Sequence, residues 1–291
     1  MPLSPVRLGV DTLCWHMRIE TGAVSVEEVL TVADELGCEC VQVNLHHLRG
    51  RTIAEIERLR AQAPDLPLLA SGDFVGAARE GDRVEDGVER VRRWLERAMA
   101  LGSPILRVAS GFYRAELAAR PDLIRLEQTF VTDVLDRTAD EALACGVRLL
   151  LENHSDFTSG EYEAIIAAVG RERTGVFLDL TNAVAALEDP VAVVQQLAPL
   201  AFAGHVKDFV LRSIQQPDAY HRRGFEVLYR YPGEGVAPLR EAVRELVLGV
   251  HGREIALTIE GLDNAAAVDD QRSRIEPSLA CLRALVADAG A

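Results

Sequence analysis

"VRLLLENHSDFTSGEYEAIIAAVGRERTGVFLD", residues 147–179, decides the fold. An apolar run over 148–153 breaks into Glu152, Asn153 and His154, and a second apolar run covers 176–180. Between them Thr158 and Glu161 stand three apart, the spacing of a capping box at a helix start, and Gly170 sits where that helix should stop. Strand, capped helix and strand in that order predict two parallel strands joined by a right-handed crossover.

The same rhythm runs along the whole chain. Short apolar, β-branched-rich runs fall at 7–13, 40–45, 67–72, 105–109, 202–207 and 255–260, which with the first two makes eight. Ser25 with Glu28 and Thr52 with Glu55 repeat the capping box, Asp189 precedes Pro190 as a cap, and Gly37, Gly102 and Gly146 mark helix ends. Eight strand and helix repeats in a chain of 291 residues predict an α/β fold, a single (β/α)8 TIM barrel. An open nucleotide-binding sheet would carry a glycine-rich turn after its first strand, and "GVDTLCWH" has none. No Ser/Gly/Pro-rich linker or charge block divides the repeats, so residues 1–291 read as one domain.

Composition narrows the function. With 48% hydrophobic residues the chain can bury a large core, and 31 Lys+Arg against 45 Asp+Glu give a formal charge of −14. That charge repels phosphate backbones and anionic membranes, so neither nucleic acid nor membrane is an expected partner. Five scattered cysteines without a CxxC pair suggest neither a disulfide framework nor a zinc knuckle and fit a reducing cytoplasm. The first residues show no signal-peptide pattern, and no apolar segment has the length of a membrane span.

In such a barrel the carboxyl ends of the strands line the active-site mouth. The fifth run ends in Glu152-Asn153-His154, the sixth brings Asp179 and Asn182, the seventh His205, Lys207 and Asp208, and the eighth Glu260. A single Glu at a strand end is commonly a cap or salt-bridge partner, and a single His a satisfied buried imidazole. Four successive strands ending in metal-competent groups point instead to a shared divalent cation, because the carboxylates would otherwise repel. Three carboxylates and one imidazole suit Mn²⁺, Mg²⁺ or Co²⁺, with Zn²⁺ left open.

"LLLENH", "GVFLDLTNA", "GHVKD", "YPGEGV" and "LTIEG" resemble the xylose-isomerase-like TIM-barrel superfamily of sugar isomerases and epimerases, closely over strands five to eight and in rhythm over strands one to four. The resemblance implies that Glu152, Asp179, His205 and Glu260 bind the divalent metal, for which the donor set puts Mn²⁺ first. It also implies that Glu152 and Glu260 flank the substrate and shuttle a proton, as in ketose 3-epimerases of the tagatose-epimerase type. Three positions depart from the epimerase pattern: Asn182 stands for a histidine, Leu211 for an arginine and Thr158 for a glutamate. All three touch substrate in that family, so the resemblance carries the metal set and not the substrate.

A hydrogen next to a carbonyl moves when a cation stabilises the developing enediolate and a carboxylate takes the proton. His154, Asn182, Lys207 and Arg107 are candidate substrate contacts; for Lys207 a salt bridge, for Arg107 a carboxylate partner and for Asn182 a turn role compete. Asp11, Trp15, His46 and His47 end strands one and two and stand for the far wall of the pocket or for core and cap roles. The long connection over 209–234 reads as a functional loop in which Tyr220, His221, Arg222, Arg223 and Arg230 could receive an anionic substrate group. The readings are a sugar or keto-sugar isomerase or epimerase, or a lyase of the same superfamily, inosose-dehydratase-like or keto-glycoside-cleaving. An endonuclease-IV-like repair enzyme would need more histidines than seven and a basic surface, and an inactive binding barrel would not respond to metal removal. A homo-oligomer is left open.

Overall fold

The computed structural model describes residues 6–214, 224–261 and 271–290. Its strands are β1 (Val6–Asp11), β2 (Cys40–Asn44), β3 (Leu68–Phe74), β4 (Ile105–Ala109), β5 (Arg148–Glu152), β6 (Thr174–Asp179), β7 (Ala201–Val206), β8 (Asp208–Ser213), β9 (Phe225–Arg230) and β10 (Ile255–Ile259). Strands β1 to β7 and β10 close a parallel barrel in chain order, with β10 between β7 and β1. The helices are α1 (His16–Glu20), α2 (Val26–Glu35), α3 (Ile53–Gln62), α4 (Val84–Ala100), α5 (Pro121–Ala144), α6 (Ser159–Val169), α7 (Pro190–Leu197), α8 (Leu239–Gly249) and α9 (Arg272–Ala289). All eight expected runs are barrel strands, with bounds within two residues.

The local signals act as read. Ser25, Thr52 and Thr158 each accept the backbone N–H of the glutamate three residues on, whose carboxylate reaches back to the cap. Asp189 accepts the N–H of Ala192 ahead of α7. Gly37, Gly102, Gly146 and Gly170 have φ of +67°, +64°, +76° and +112°, the left-handed region that ends helices.

Alternation along each strand sorts the barrel's contents. On β5, Leu149 and Leu151 face the helices, while Leu150 joins Cys40, Leu69, Ile105, Phe177 and Ala203 in a small apolar layer inside the barrel. Glu152 is the next residue on Leu150's side, so the polar layer lies directly above that apolar plug.

The connection over 209–234 differs from expectation. It begins as an antiparallel hairpin, β8 against β9, pairing Phe209 with Tyr229 through to Ser213 with Phe225. "DFVLRS" and "FEVLYR" supply the aromatic and β-branched residues that favour such a pairing. Tyr220, His221, Arg222 and Arg223 lie outside the described residues. The turn 232–235 is latched by Asp208, whose Oδ2 accepts the N–H of Gly233 at 3.2 Å and of Gly235 at 2.9 Å, and whose Oδ1 accepts that of Ala237 at 2.8 Å. A Cβ on Gly235 would collide with Asp208 Oδ1.

Candidate metal centre

Glu152, Asp179 and His205 end β5 and β6 and stand one residue before the end of β7, and all three are fully buried. One donor atom from each lies within 4.8 Å of the others. His205 Nδ1 is 3.2 Å from Glu152 Oε1 and 3.6 Å from Glu260 Oε1, so the fourth expected residue meets the same imidazole. Asp179 uses its two oxygens differently. Oδ1 accepts the N–H groups of Thr181 and Asn182, each at 2.8 Å, while buried Oδ2 forms an ion pair with the Lys207 ammonium at 2.8 Å. Two buried carboxylates and an imidazole whose donor atoms converge this closely are a donor set that fits a divalent cation.

Cations of the protein balance these acids. The Arg107 guanidinium, on β4, holds Glu152 Oε2 through Nε at 2.5 Å and also through Nη2, and donates Nη1 to the Gly72 carbonyl at 3.0 Å. Burial alone would raise the Glu152 carboxyl, but Arg107 and His205 outweigh it and hold it well below the usual carboxylate range. Lys207 ion-pairs with Glu260 as well as Asp179 and lies 4.7 Å over the Tyr229 ring. Burial would raise Glu260, yet Lys207 and His205 bring it down to about 2. His205, which burial would lower, is raised to about 10 by Glu260, Asp11 and Glu152.

The residues between the acids have structural partners that the sequence does not announce. Asn153 brackets the backbone of Asp179, donating Nδ2 to its carbonyl at 2.9 Å and accepting its N–H at 2.7 Å. His154 lies past the end of β5, and its ring packs against Phe74 and Tyr113 with centroids 5.4 and 5.5 Å away. Its Nδ1 is buried without a hydrogen bond. Asn182 donates to Glu152 Oε1 at 3.4 Å and accepts from the Tyr229 hydroxyl at 3.4 Å. Arg230 ends β9 and donates to the Tyr229 carbonyl.

Asp11, read from sequence as pocket wall or cap, does more. Fully buried at the end of β1, it accepts the Leu13 N–H at 2.7 Å through Oδ1 and lies 3.2 Å from His205 Nε2 through Oδ2. A carboxylate on the far nitrogen of a ligating imidazole fixes which nitrogen faces the ion. Trp15 is buried.

A cavity of about 240 Å³ opens above this cluster. Its lining includes His154, Asn182, Lys207, Tyr229, Arg230 and Glu260, so three of the four candidate substrate contacts face it together with one glutamate. Arg107 is instead buried between Glu152 and Gly72.

A closed parallel barrel with a buried cluster of carboxylates and histidine at its carboxyl mouth defines the class: a TIM barrel whose mouth can hold a divalent cation. The chain belongs to the xylose isomerase-like TIM barrel family, whose model matches residues 30–285. Among curated proteins none matches the chain. A D-psicose 3-epimerase crystallised in the presence of D-fructose is 17% identical, with a TM-score of 0.73 over 96% of this chain and 99% of its own. The IOLI protein with a binding zinc atom is 14% identical, with a TM-score of 0.73 over 97% of this chain and 99% of its own. The "probable 3-DHS dehydratase AsbF" of Bacillus anthracis is 16% identical, with a TM-score of 0.66 over 96% and 98%. These likenesses are likenesses of fold. No helix among the described residues is long and apolar enough to cross a membrane.

Proposed function

We propose that the chain is a divalent-metal-dependent isomerase or epimerase that moves a hydrogen beside the carbonyl of a small sugar or keto-sugar. The observation that carries this reading is the convergence of Glu152, Asp179 and His205 within 4.8 Å beneath a cavity that Glu260 lines. Glu152, Asp179, His205 and Glu260 would hold the ion, Mn²⁺ first for a set of three carboxylates and one imidazole, with Mg²⁺, Co²⁺ and Zn²⁺ admitted by the same donors. When bound, the ion polarises the carbonyl and stabilises negative charge on its oxygen.

The chain's own groups do the rest. Glu260 faces the cavity and takes the proton, leaving an enediolate. Lys207, already between Glu260 and Asp179, donates to the oxygen on which charge builds. Glu152 keeps Oε1 clear of Arg107; in a 3-epimerisation it takes a proton from solvent and delivers it to the opposite face of the enediolate, while Glu260 releases the abstracted proton to solvent. His154 and Asn182 position hydroxyl groups of the substrate.

One observation favours a second reading, a lyase or dehydratase. Arg107 grips Glu152 Oε2 through two nitrogens and Glu152 is fully buried, whereas Glu260 lines the cavity. β-Elimination runs with one base, Glu260, and an acid at the leaving group, Lys207. The two readings separate when Mn²⁺-loaded protein is incubated in D₂O with a panel of keto-sugars and keto-glycosides. An isomeric sugar carrying solvent deuterium supports the first, an unsaturated product supports the second, and no exchange with any member contradicts both.

A further inference from the structure

We propose that His16, Glu20 and His47 form a second metal site, apart from the central cluster, that takes a transition-metal ion of the zinc class. His16 opens α1 and Glu20 closes it, four residues apart, so both side chains leave the same helical face. His47 sits on the turn Leu45–Leu48 after β2 and is 8% exposed. His16 Nδ1 lies 2.9 Å from His47 Nε2, and with a Glu20 oxygen the three donor atoms fall within 4.8 Å. Two nitrogens each about 2.1 Å from one tetrahedral ion stand about 3.4 Å apart, so the imidazoles need to part by only about half an ångström to become neighbouring ligands.

The surroundings supply the orientation such a site needs. His47 Nδ1 is 2.9 Å from the Thr12 hydroxyl, which fixes the ring and leaves Nε2 as the ligand nitrogen. His46 Nε2 lies 3.5 Å from Glu20 Oε1 and is itself held by Arg49 Nη1, outside the three converging donors. Arg49 now occupies Glu20, at 3.0 Å from Oε1 and 2.5 Å from Oε2, as the competitor an ion must displace; its side chain is 58% exposed and can turn to solvent. Two imidazoles and one carboxylate suit Zn²⁺, Ni²⁺ or Cu²⁺, whereas the oxygen-rich centre suits a harder ion, so the two sites sort cations by donor type. An ion here would clip α1 to the turn after β2.

The test uses the full chain with the central site disabled by Asp179→Asn, stripped of metal, titrated with Zn²⁺ and assayed for metal content. One zinc per chain is expected, falling to none when His16→Ala is added and binding more tightly when Arg49→Ala is added. A wild-type pair guards against misfolding of the first variant: two zinc ions per chain should fall to one in His16→Ala alone. Zinc content unchanged by His16→Ala overturns the proposal, whether or not the central site binds metal.

Discussion

The half of the barrel built from β5, β6, β7 and β10 presents the four groups aimed at the central cluster, Glu152, Asp179, His205 and Glu260. The half built from β1 to β4 presents the groups that hold two of those four in place: Asp11 on His205 and Arg107 on Glu152. For His205 and Glu152, donor and restraint thus come from different halves of one ring, whereas Asp179 and Glu260 are held from their own half by Lys207. Removing a donor should abolish metal binding, and removing a restraint should weaken it while leaving every donor present.

The largest effect is expected at the junction of the two halves. Glu152→Gln takes away a donor and strands Arg107 as a buried cation, a change that costs roughly 3–5 kcal/mol when one partner of a buried pair is lost. Urea unfolding of the metal-free variant should show that loss, and its turnover should vanish; a stability equal to wild type would mean that Arg107 is solvated or otherwise paired. Asp11→Asn tests the restraint alone. Metal affinity should drop about 10- to 100-fold, the usual effect of removing such an outer partner, with His205 still able to ligate. Calorimetric titration of the variant reads that drop directly, and an unchanged affinity would reduce Asp11 to a cap.

The charge state of His205 gives a third comparison. Its folded value of about 10 lies above the ordinary imidazole value of 6.5, so the protonated ring stabilises the metal-free protein fully below about pH 6.5. That contribution fades as pH rises through about 10. Ion binding needs the neutral ring, so near pH 8 each ion should release about one proton, measurable in buffers of different ionisation enthalpy. The smallest effect belongs outside both halves' ring. Thr158→Ala removes the cap of α6 and should cost about 1 kcal/mol in thermal unfolding, with metal affinity untouched.

The same division explains what could be read from the sequence. Glu152, Asp179, His205 and Glu260 each interrupt an apolar strand end, and although one such group alone would read as a cap or ion-pair partner, their recurrence on four successive strands and the strand alternation aim them at one point. The barrel was legible because caps and helix-ending glycines are local devices. Asp11 looked like a cap and is one, through Leu13; its second partner, His205, lies 194 residues away and leaves no local mark. Asn153 and Asp208 escaped functional reading because their partners are backbone N–H and carbonyl groups, which carry no side-chain signature. The β8–β9 hairpin was hidden by the length of its connection, which outweighed the alternation of its two short arms.

The most direct measurement is a titration of metal-stripped protein with Mn²⁺, following free ion by electron paramagnetic resonance, in the wild type and in Asp179→Asn. One tightly held Mn²⁺ per chain in the wild type and none in the variant is the expected result. Equal binding by the two proteins would contradict a metal centre built on these strand ends.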